Sequence, residues 1–157
     1  MPDGLEGGCA CGQMRYRLLS KPIFVHCCHC KDCQRQCGTA FALNAIIETD
    51  RVALLQGETR AFPMPTDSGQ AHEIVRCAVC GTAVWSHYAG MQPFSFIRVG
   101  TLDDPPATPP DVHIYTRSKL PWVRLPDGVP AFDAYYRARD VWPAESLERR
   151  RLALGRS

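Results

Sequence analysis

Two short stretches, Cys9-Ala10-Cys11-Gly12 and Cys77-Ala78-Val79-Cys80-Gly81, decide the fold of this 157-residue chain. In an extended strand alternate side chains share a face, so both thiols of the first stretch should point the same way. The second has the C-x-x-C-Gly spacing of a zinc knuckle, in which the glycine can take the positive φ that turns the chain away from a metal. Together the four thiols predict one closed, structural zinc site that joins the N-terminus to the middle of the chain.

A second group of thiols lies between these stretches, in Cys27-Cys28-His29-Cys30-Lys31-Asp32-Cys33. Strand alternation directs Cys28 and Cys30 to one face, and a turn after Cys30 can bring Cys33 round to them. Three thiolates leave one position of a tetrahedral zinc ion for water or substrate, as in catalytic zinc sites. The sequence therefore predicts a second zinc ion, which makes two per chain.

Cys37 leaves an alternative open at this second site. It lies four residues after the third thiol, so on a helix through Lys31–Cys37 it would share that thiol's face and could fill the last position of the metal. A filled shell would end the catalytic interpretation. Cys27 is assigned to the core as a small apolar residue, while His26 and His29 are assigned to the polar core or the surroundings of the metal.

The composition is that of an ordinary globular protein, with 45% hydrophobic and 22% charged residues. A formal net charge of +2 is too small to indicate a nucleic-acid partner. The start MPDGLEGGCACG lacks the features of a secretory signal, and no apolar run approaches the ~20 residues that span a bilayer. We therefore expect a cytoplasmic protein without a membrane partner, whose nine cysteines bind metal rather than form disulfides.

Short β-branched and aromatic runs, separated by Gly and Pro, predict a mainly β, predominantly antiparallel single domain with few short helices. The predicted strands are Met14–Leu18, Phe24–Cys28, Phe41–Ile47, Val52–Leu55, Thr59–Phe62, Glu73–Arg76, Thr82–Trp85, Phe94–Val99 and Val112–Tyr115. The proline-rich segment after residue 104 is expected to wrap irregularly over the sheet, and Glu145–Leu154 to form a short helix or to fray. The aromatic residues assigned to the core are Trp85, Phe94, Phe96, Tyr115 and Trp122.

The cysteines, in this order, resemble those of the glutathione-dependent formaldehyde-activating enzyme family, which includes centromere-protein-V-like proteins. The matching stretches are Gly7–Tyr16, Cys28–Arg35, Gly38–Phe41, Cys77–Trp85, Val99–Asp103 and Val112–Tyr115. The resemblance covers about residues 5–123. Cys27 and Cys37 depart from it, because the family usually has alanine and serine at these positions.

The resemblance implies a β-tent fold, with a zinc-binding domain over residues 1–140 and a C-terminal tail over 141–157. It also implies a zinc-dependent carbon–sulfur lyase or thiol-adduct-processing enzyme, which acts on glutathione or on adducts like S-hydroxymethylglutathione. Matched by position, the structural zinc ligands are Cys9, Cys11, Cys77 and Cys80, and the catalytic ones are Cys28, Cys30 and Cys33.

Two arginines are candidates for binding a small thiol substrate such as glutathione. Three thiolates leave a zinc ion with a net negative charge, which a nearby cation would offset, and an arginine can also hold a glutathione carboxylate. Arg35 and Arg76 are among the arginines nearest in sequence to the ligand cysteines. Two other interpretations stay open: a non-catalytic two-zinc scaffold that carries a thiol or binds a protein, and a redox sensor in which the middle cysteines oxidise.

Overall fold

The computed structural model describes residues 4–89 and 91–155. Within these ranges the chain forms two β-sheets and three α-helices, so the predicted mainly β fold is confirmed. The strands are β1 (Glu6–Gly8), β2 (Arg15–Leu18), β3 (Phe24–Cys28), β4 (Ala42–Glu48), β5 (Val52–Gln56), β6 (Thr59–Pro63), β7 (His72–Cys77), β8 (Ala83–Tyr88), β9 (Phe94–Arg98) and β10 (Val112–Ile114). The helices are α1 (Lys31–Cys37), α2 (Ala138–Val141) and α3 (Ala144–Gly155).

Strands β1, β2 and β5 form a small sheet in that order, and the others form a seven-stranded sheet in the order β10-β3-β4-β9-β8-β7-β6. The described pairs are antiparallel except β10 with β3, which run parallel. This parallel pair places Ile114 opposite Cys28. The long connection from β9 to β10 therefore returns the chain to the strand that carries the middle cysteines.

The inner strand β4 shows why the larger sheet is buried on both faces. Its sequence, ALNAIIE, is apolar along most of its length rather than strictly alternating. Ala45 and Ile47 pack into one core with Met14 and Tyr16 of the small-sheet region. Ile46, on the opposite face, packs into a second core that α1 and α3 help to cover.

Strand β1 is the strand that the sequence did not predict, because EGG has low β-propensity. Gly7 crosses the Tyr16 side chain so closely that a Cβ atom would lie 2.6 Å from the ring atom Cζ and 2.5 Å from the Thr101 carbonyl oxygen. The Tyr16 hydroxyl is in turn hydrogen-bonded to Thr101 Oγ1 at 2.7 Å. Glycine is required here, and the close packing holds the segment before Cys9 against the body of the protein.

The segment after residue 104 extends the larger sheet at its edge. The His113 N–H donates to the Pro130 carbonyl, and the Phe132 N–H donates to the His113 carbonyl, both at 2.9 Å. The chain around residue 131 therefore lies beside β10 as an irregular extra strand. This is the predicted wrap over the sheet.

The five aromatic residues assigned to the core fall into three groups. Phe94 and Phe96 are buried, as predicted. Trp85 and Tyr115 are half-buried. The assignment of Trp122 is wrong, because its side chain is 71% exposed in a stretch that forms turns rather than a strand.

Helix α3 packs onto the larger sheet through polar contacts as well as apolar ones. The Ser146 hydroxyl donates to the Ile23 carbonyl at 2.6 Å. Arg149 makes a bidentate pair with Glu48, with N–O distances of 2.9 and 2.5 Å. The Glu48 side chain is only 4% exposed and that of Arg149 16%, so the tail forms a docked helix rather than fraying.

The helices are short. No helix in residues 4–89 and 91–155 has the length and apolar character needed to cross a bilayer. The predicted boundary between the domain and its tail, after residue 140, falls within α2 and stays a prediction.

Removing Arg149 would leave the buried Glu48 carboxylate without its main partner. We expect Arg149→Ala to lower the free energy of unfolding by about 2–3 kcal/mol. This loss is at or below the one expected when a fully buried ion pair is broken, because Arg149 is partly exposed. Urea denaturation at neutral pH measures this loss. Arg151→Ala is the matched control, since Arg151 pairs with Glu148 on the exposed side of the same helix and should matter far less. Equal losses in the two variants would contradict the prediction.

The same pair makes stability depend on pH. Burial alone would raise the pKa of Glu48, but hydrogen bonds from Arg149 and the charges of Arg149 and Arg51 outweigh it and hold the pKa below the ordinary 4.5. The contribution of a carboxylate with a lowered pKa is complete above its unfolded-state pKa and is lost as the pH falls through its folded-state pKa. The difference between wild type and Arg149→Ala should therefore shrink below pH 4.5.

Candidate metal centres

The first group of thiols joins the end of β1 to the end of β7. The sulfur atoms of Cys9, Cys11, Cys77 and Cys80 all lie within 4.8 Å of one another. Two of the separations are 3.4 Å for Cys9–Cys11 and 4.0 Å for Cys11–Cys77. Four thiolates at about 2.3 Å from a tetrahedral zinc ion lie about 3.8 Å apart. The structure thus brings the four predicted residues together in an arrangement that fits one zinc ion.

Each half of this four-cysteine group forms a turn that contains a glycine. Gly12 and Gly81 both have φ of +75°. In each turn a backbone N–H donates to the first sulfur, at 3.3 Å for Cys9 and at 3.4 Å for Cys77. The expectation that the C-x-C stretch is an extended strand is wrong, since it forms a tight turn like its C-x-x-C counterpart.

Thr82 links the two halves of the four-cysteine group. Its Oγ1 atom accepts a hydrogen bond from the Ala10 N–H at 3.2 Å and lies 3.1 Å from Cys80 Sγ. Hydrogen bonds from the side chain and backbone of Thr82 lower the pKa of Cys80 to about 5. The surroundings of this exposed sulfur therefore favour the thiolate that a metal ion needs.

The second group is built from the end of β3 and the start of α1. Cys28 is the last residue of the strand, and Cys30 caps the helix with its Sγ accepting a hydrogen bond from the Cys33 N–H at 3.3 Å. The three sulfur atoms lie within 4.8 Å of one another. The predicted turn after Cys30 is the first turn of α1, and the helix spans the residues that the sequence predicted.

The three sulfur atoms lie close enough to shift one another's pKa. Hydrogen bonds from Cys28 and Cys33 lower the pKa of Cys30. Hydrogen bonding to Cys30 raises the pKa of Cys28 to about 12, and hydrogen bonds to both neighbours raise the pKa of Cys33 well above its usual range. A zinc ion bound by the three sulfurs would displace the thiol protons. The three donors fit a zinc ion that keeps one position for another ligand.

Cys37 does not belong to this three-cysteine group. A helix rises 1.5 Å per residue, so Cys37 lies about 6 Å along the axis of α1 from Cys33. Its side chain packs among the apolar residues of the second core. The alternative in which Cys37 closes the metal's shell is therefore not supported by this geometry.

A third buried cluster contains Cys27, His29 and His113. His29 Nε2 lies 3.0 Å from His113 Nδ1 and 3.6 Å from Cys27 Sγ, so the facing atoms already hydrogen-bond one another. The other ring nitrogens have no hydrogen-bond partner among the described residues. A histidine that binds metal almost always donates that second N–H to an acceptor. We therefore assign this cluster to the polar core, in keeping with the prediction for Cys27 and His29.

The three-cysteine group lines a cavity of about 730 Å³. The cavity lies over the face of the larger sheet that carries Asn44 and is bordered by the loop 66–70 and by residues 114–118. Much of its wall is aromatic, from Tyr88, Phe96, Tyr115 and Tyr135. A cavity of this size, largely apolar with a few polar groups, is typical of a binding site for a small organic molecule.

The two predicted arginines do not line this cavity. Arg35 is exposed on α1, and Arg76 donates to the Gly81 carbonyl at 3.0 Å beside the four-cysteine group. Arg117 lines the cavity instead, with its guanidinium carbon 5.8 Å from the centre of the Tyr115 ring. Arg117 is far in sequence from the three cysteines, and the parallel pairing of β10 with β3 brings it to the cavity. A search for arginines near the cysteines in sequence could therefore not find it.

Two cavity residues are held in unusual states. Tyr115 has φ of +55°, and such backbone strain persists only where the surroundings impose it, often at functional sites. His72 is 4% exposed, stacks on Tyr88 with 4.1 Å between ring centres, and has its Nδ1 atom 3.3 Å from Gln36 Nε2. Burial lowers the pKa of His72 to about 4, so its ring is neutral near pH 7.

Comparisons with known proteins place the chain in a family. The family model described as "Glutathione-dependent formaldehyde-activating enzyme" matches residues 4–118, which contain both cysteine groups. A curated relative from Halomonas elongata, named "Putative glutathione-dependent formaldehyde-activating enzyme", is 26% identical over 129 residues, covering 77% of this chain and 80% of the relative. A solved structure of a Rhodobacter sphaeroides protein is 19% identical with a TM-score of 0.48, over 62% of this chain and 87% of that one.

The matched residues make up well over half of the sequence. The chain therefore belongs to the glutathione-dependent formaldehyde-activating enzyme family, as its cysteine pattern predicted.

Loss of one ligand from the four-cysteine group tests its structural role. We expect Cys80→Ser, an exposed change of a single atom, to bind one zinc ion fewer and to melt about 10 °C lower or more, because metal binding at such a site contributes to folding. Elemental analysis and thermal unfolding followed by circular dichroism measure both effects. Cys37→Ser, outside both groups, should keep its zinc and its melting temperature. A Cys80→Ser variant that retains all its zinc would refute the assignment.

Proposed function

We propose that this chain is a zinc-dependent carbon–sulfur lyase that cleaves or forms the adduct of a small thiol with an aldehyde. The proposed substrates are glutathione and adducts like S-hydroxymethylglutathione. The observation that carries the proposal is a group of three sulfur donors in the wall of a cavity of about 730 Å³, with no fourth protein ligand among residues 4–89 and 91–155. Membership of the family supports the choice of thiol and aldehyde.

In this proposal each chain binds two zinc ions, one in each cysteine group. Cys9, Cys11, Cys77 and Cys80 hold the structural ion, and Cys28, Cys30 and Cys33 hold the catalytic one. A zinc ion with an open position supplies a Lewis acid that keeps a substrate thiol ionised near neutral pH. The protein must supply the remainder, which is binding, orientation and control of the proton.

Binding of the thiol is assigned to the cationic side of the cavity. Lys31 and Arg117 are lining residues with positive charge. Arg117 can hold a glutathione carboxylate through two parallel hydrogen bonds, and the adjacent Tyr115 ring limits where its guanidinium can lie. The carboxylate and the sulfur of the substrate would then be fixed at two points, which orients the bond that reacts.

Control of the adduct oxygen is assigned to His72. When the adduct is cleaved, the carbon–sulfur bond breaks, the sulfur keeps the electron pair, and the hydroxyl releases its proton to water as the aldehyde forms. With the Gln36 amide donating to His72 Nδ1, the proton of the neutral ring lies on Nε2, which has no partner among the described residues. We assign this N–H the role of hydrogen-bonding the oxygen as it changes from hydroxyl to carbonyl.

Turnover of S-hydroxymethylglutathione tests the proposed function directly. Formaldehyde release by zinc-loaded protein is followed against the spontaneous reaction without protein. We expect Cys30→Ala to lose roughly hundredfold or more of the rate and one zinc ion, since the metal supplies the main stabilisation. Its circular dichroism should be unchanged because the four-cysteine site stays intact. Cys37→Ala should keep wild-type turnover, and undiminished turnover in Cys30→Ala would reject the proposal.

The role of Arg117 predicts a change in KM rather than a loss of metal. Arg117→Ala should raise KM for the glutathione adduct by about tenfold or more, the worth of a charge-assisted hydrogen-bond pair, with both zinc ions retained. Arg124→Ala, in the exposed stretch after β10, is the control and should keep the wild-type KM. Arg35→Ala tests the sequence-based candidate. A rise in KM for Arg35→Ala, with none for Arg117→Ala, would contradict this assignment and indicate that the thiol binds beside α1.

A further inference from the structure

Arg98, at the end of β9, is a buried cation without an acidic partner. It is 7% exposed, and its two terminal nitrogens donate to Asn44 Oδ1 at 2.5 Å and to Ser86 Oγ at 3.0 Å. Its Nε atom has no hydrogen-bond partner, and it forms no ion pair within the part of the chain that the structure describes. A neutral donor would satisfy Asn44 and Ser86 at a lower desolvation cost. The positive charge therefore needs another explanation.

Strand register places Arg98 on the face that carries the three-cysteine group. His26, Asn44 and Arg98 are successive partners across β3, β4 and β9, so their side chains leave the same face of the sheet. Cys28 lies two residues after His26 and shares this face. Asn44 itself lines the cavity. Arg98 is thus two strand spacings, roughly 10 Å, from the strand that carries Cys28.

Tyr88 is influenced by the charges of both the three-cysteine group and Arg98. Burial is the main cause of the raised pKa of Tyr88; the negative charge of the three-cysteine group adds to it, and the positive charge of Arg98 opposes it. The neighbours of Arg98 across the strands, Asn44 and His26, cannot supply a negative charge, since one is an amide and the other an imidazole. No group in this row therefore balances the guanidinium.

We propose that Arg98 is the buried counter-charge of the three-cysteine centre. This inference rests on the zinc ion of the proposed function. A divalent ion held by three thiolates has a net negative charge, and a thiolate substrate adds another. Arg98 offsets that charge from within the sheet, which favours metal binding and the ionised form of the thiol. Arg98 is not among the residues that line the cavity, so it is a positioning residue that acts through the electrostatic potential and through Asn44.

The test measures zinc affinity at the three-cysteine site, not turnover. Zinc is withdrawn anaerobically from the two-zinc protein with increasing chromophoric chelator, and Cys30→Ala identifies which release step belongs to this site. Arg98→Gln should weaken zinc there by roughly tenfold, as expected for unit charges about 10 Å apart at an effective dielectric constant of about 20. The step in which zinc leaves the four-cysteine group should stay unchanged.

Arg98→Lys separates charge from shape. It keeps the positive charge with a different geometry and should recover most of the affinity that Arg98→Gln loses. Ser86→Ala removes one hydrogen bond of Arg98 without changing any charge, and should bind zinc like wild type. Wild-type affinity in Arg98→Gln, equal weakening in the Lys and Gln variants, or a Ser86→Ala loss as large as that of Arg98→Gln would each overturn the proposal.

Asn44→Asp tests the same idea if Arg98→Gln does not fold. It places a carboxylate at the 2.5 Å contact, so Arg98 gains a partner of its own with almost no change of shape. Zinc at the three-cysteine site should weaken by at least as much as in Arg98→Gln, while the metal-free protein should resist urea better than metal-free wild type. Unchanged zinc affinity in Asn44→Asp would overturn the proposal.

These outcomes differ from a failure of the proposed function. A wild-type protein whose zinc content is not lowered by Cys30→Ala has no metal at the three-cysteine group, which refutes both proposals. A wild-type protein that binds two zinc ions without turnover refutes the lyase activity alone. The affinities of the Arg98 and Asn44 variants then still decide the role of Arg98.

Discussion

Repulsion between sulfur atoms is the constraint on which this structure depends. Four ionised thiols cannot remain within 4.8 Å of one another unless a cation holds them, and the four-cysteine group has this spacing. The segment that carries Cys9 and the strand that carries Cys77 are far apart in sequence, so a metal ion there would close a long loop. It would also hold the small sheet, through β1, against the larger one. With that ion bound, the fold would rest on a bond between distant segments as well as on its two apolar cores.

The two cysteine groups use the same chemistry in different surroundings. The first consists of two glycine turns with exposed sulfurs at Cys11 and Cys80, which suits a metal that nothing else needs to reach. In the second, Cys28 and Cys33 are buried and one sulfur caps a helix beside a cavity. Fewer thiols leave room for a ligand, and the cavity gives that ligand space. The difference in proposed role follows from ligand number and access rather than from the kind of ligand.

Local pattern predicted most of the strands, α1 and both cysteine groups, because these depend on residues close in sequence. Strand β1 was missed because Gly7, which the Tyr16 ring requires, and Gly8 give it a low β-propensity. Arg117 was missed because pairing between distant strands brings it to the cavity. Arg98 had a signal in the sequence: it follows Phe94 and Phe96 at a spacing of two, so a charged side chain occupies the buried face of a strand. The neighbouring sequence does not indicate which negative charge Arg98 would balance.

The parallel pairing of β10 with β3 has a consequence for how such a protein can diversify. The sulfurs of the three-cysteine group are encoded early in the chain, while Tyr115, Arg117 and Tyr135, which line the cavity, are encoded more than eighty residues later. Mutations in the later stretch can therefore reshape what the cavity accepts while the inorganic centre is inherited intact. Relatives with the same cysteines are free to differ in the molecules they recognise, and a shared metal signature is a poor guide to a shared substrate.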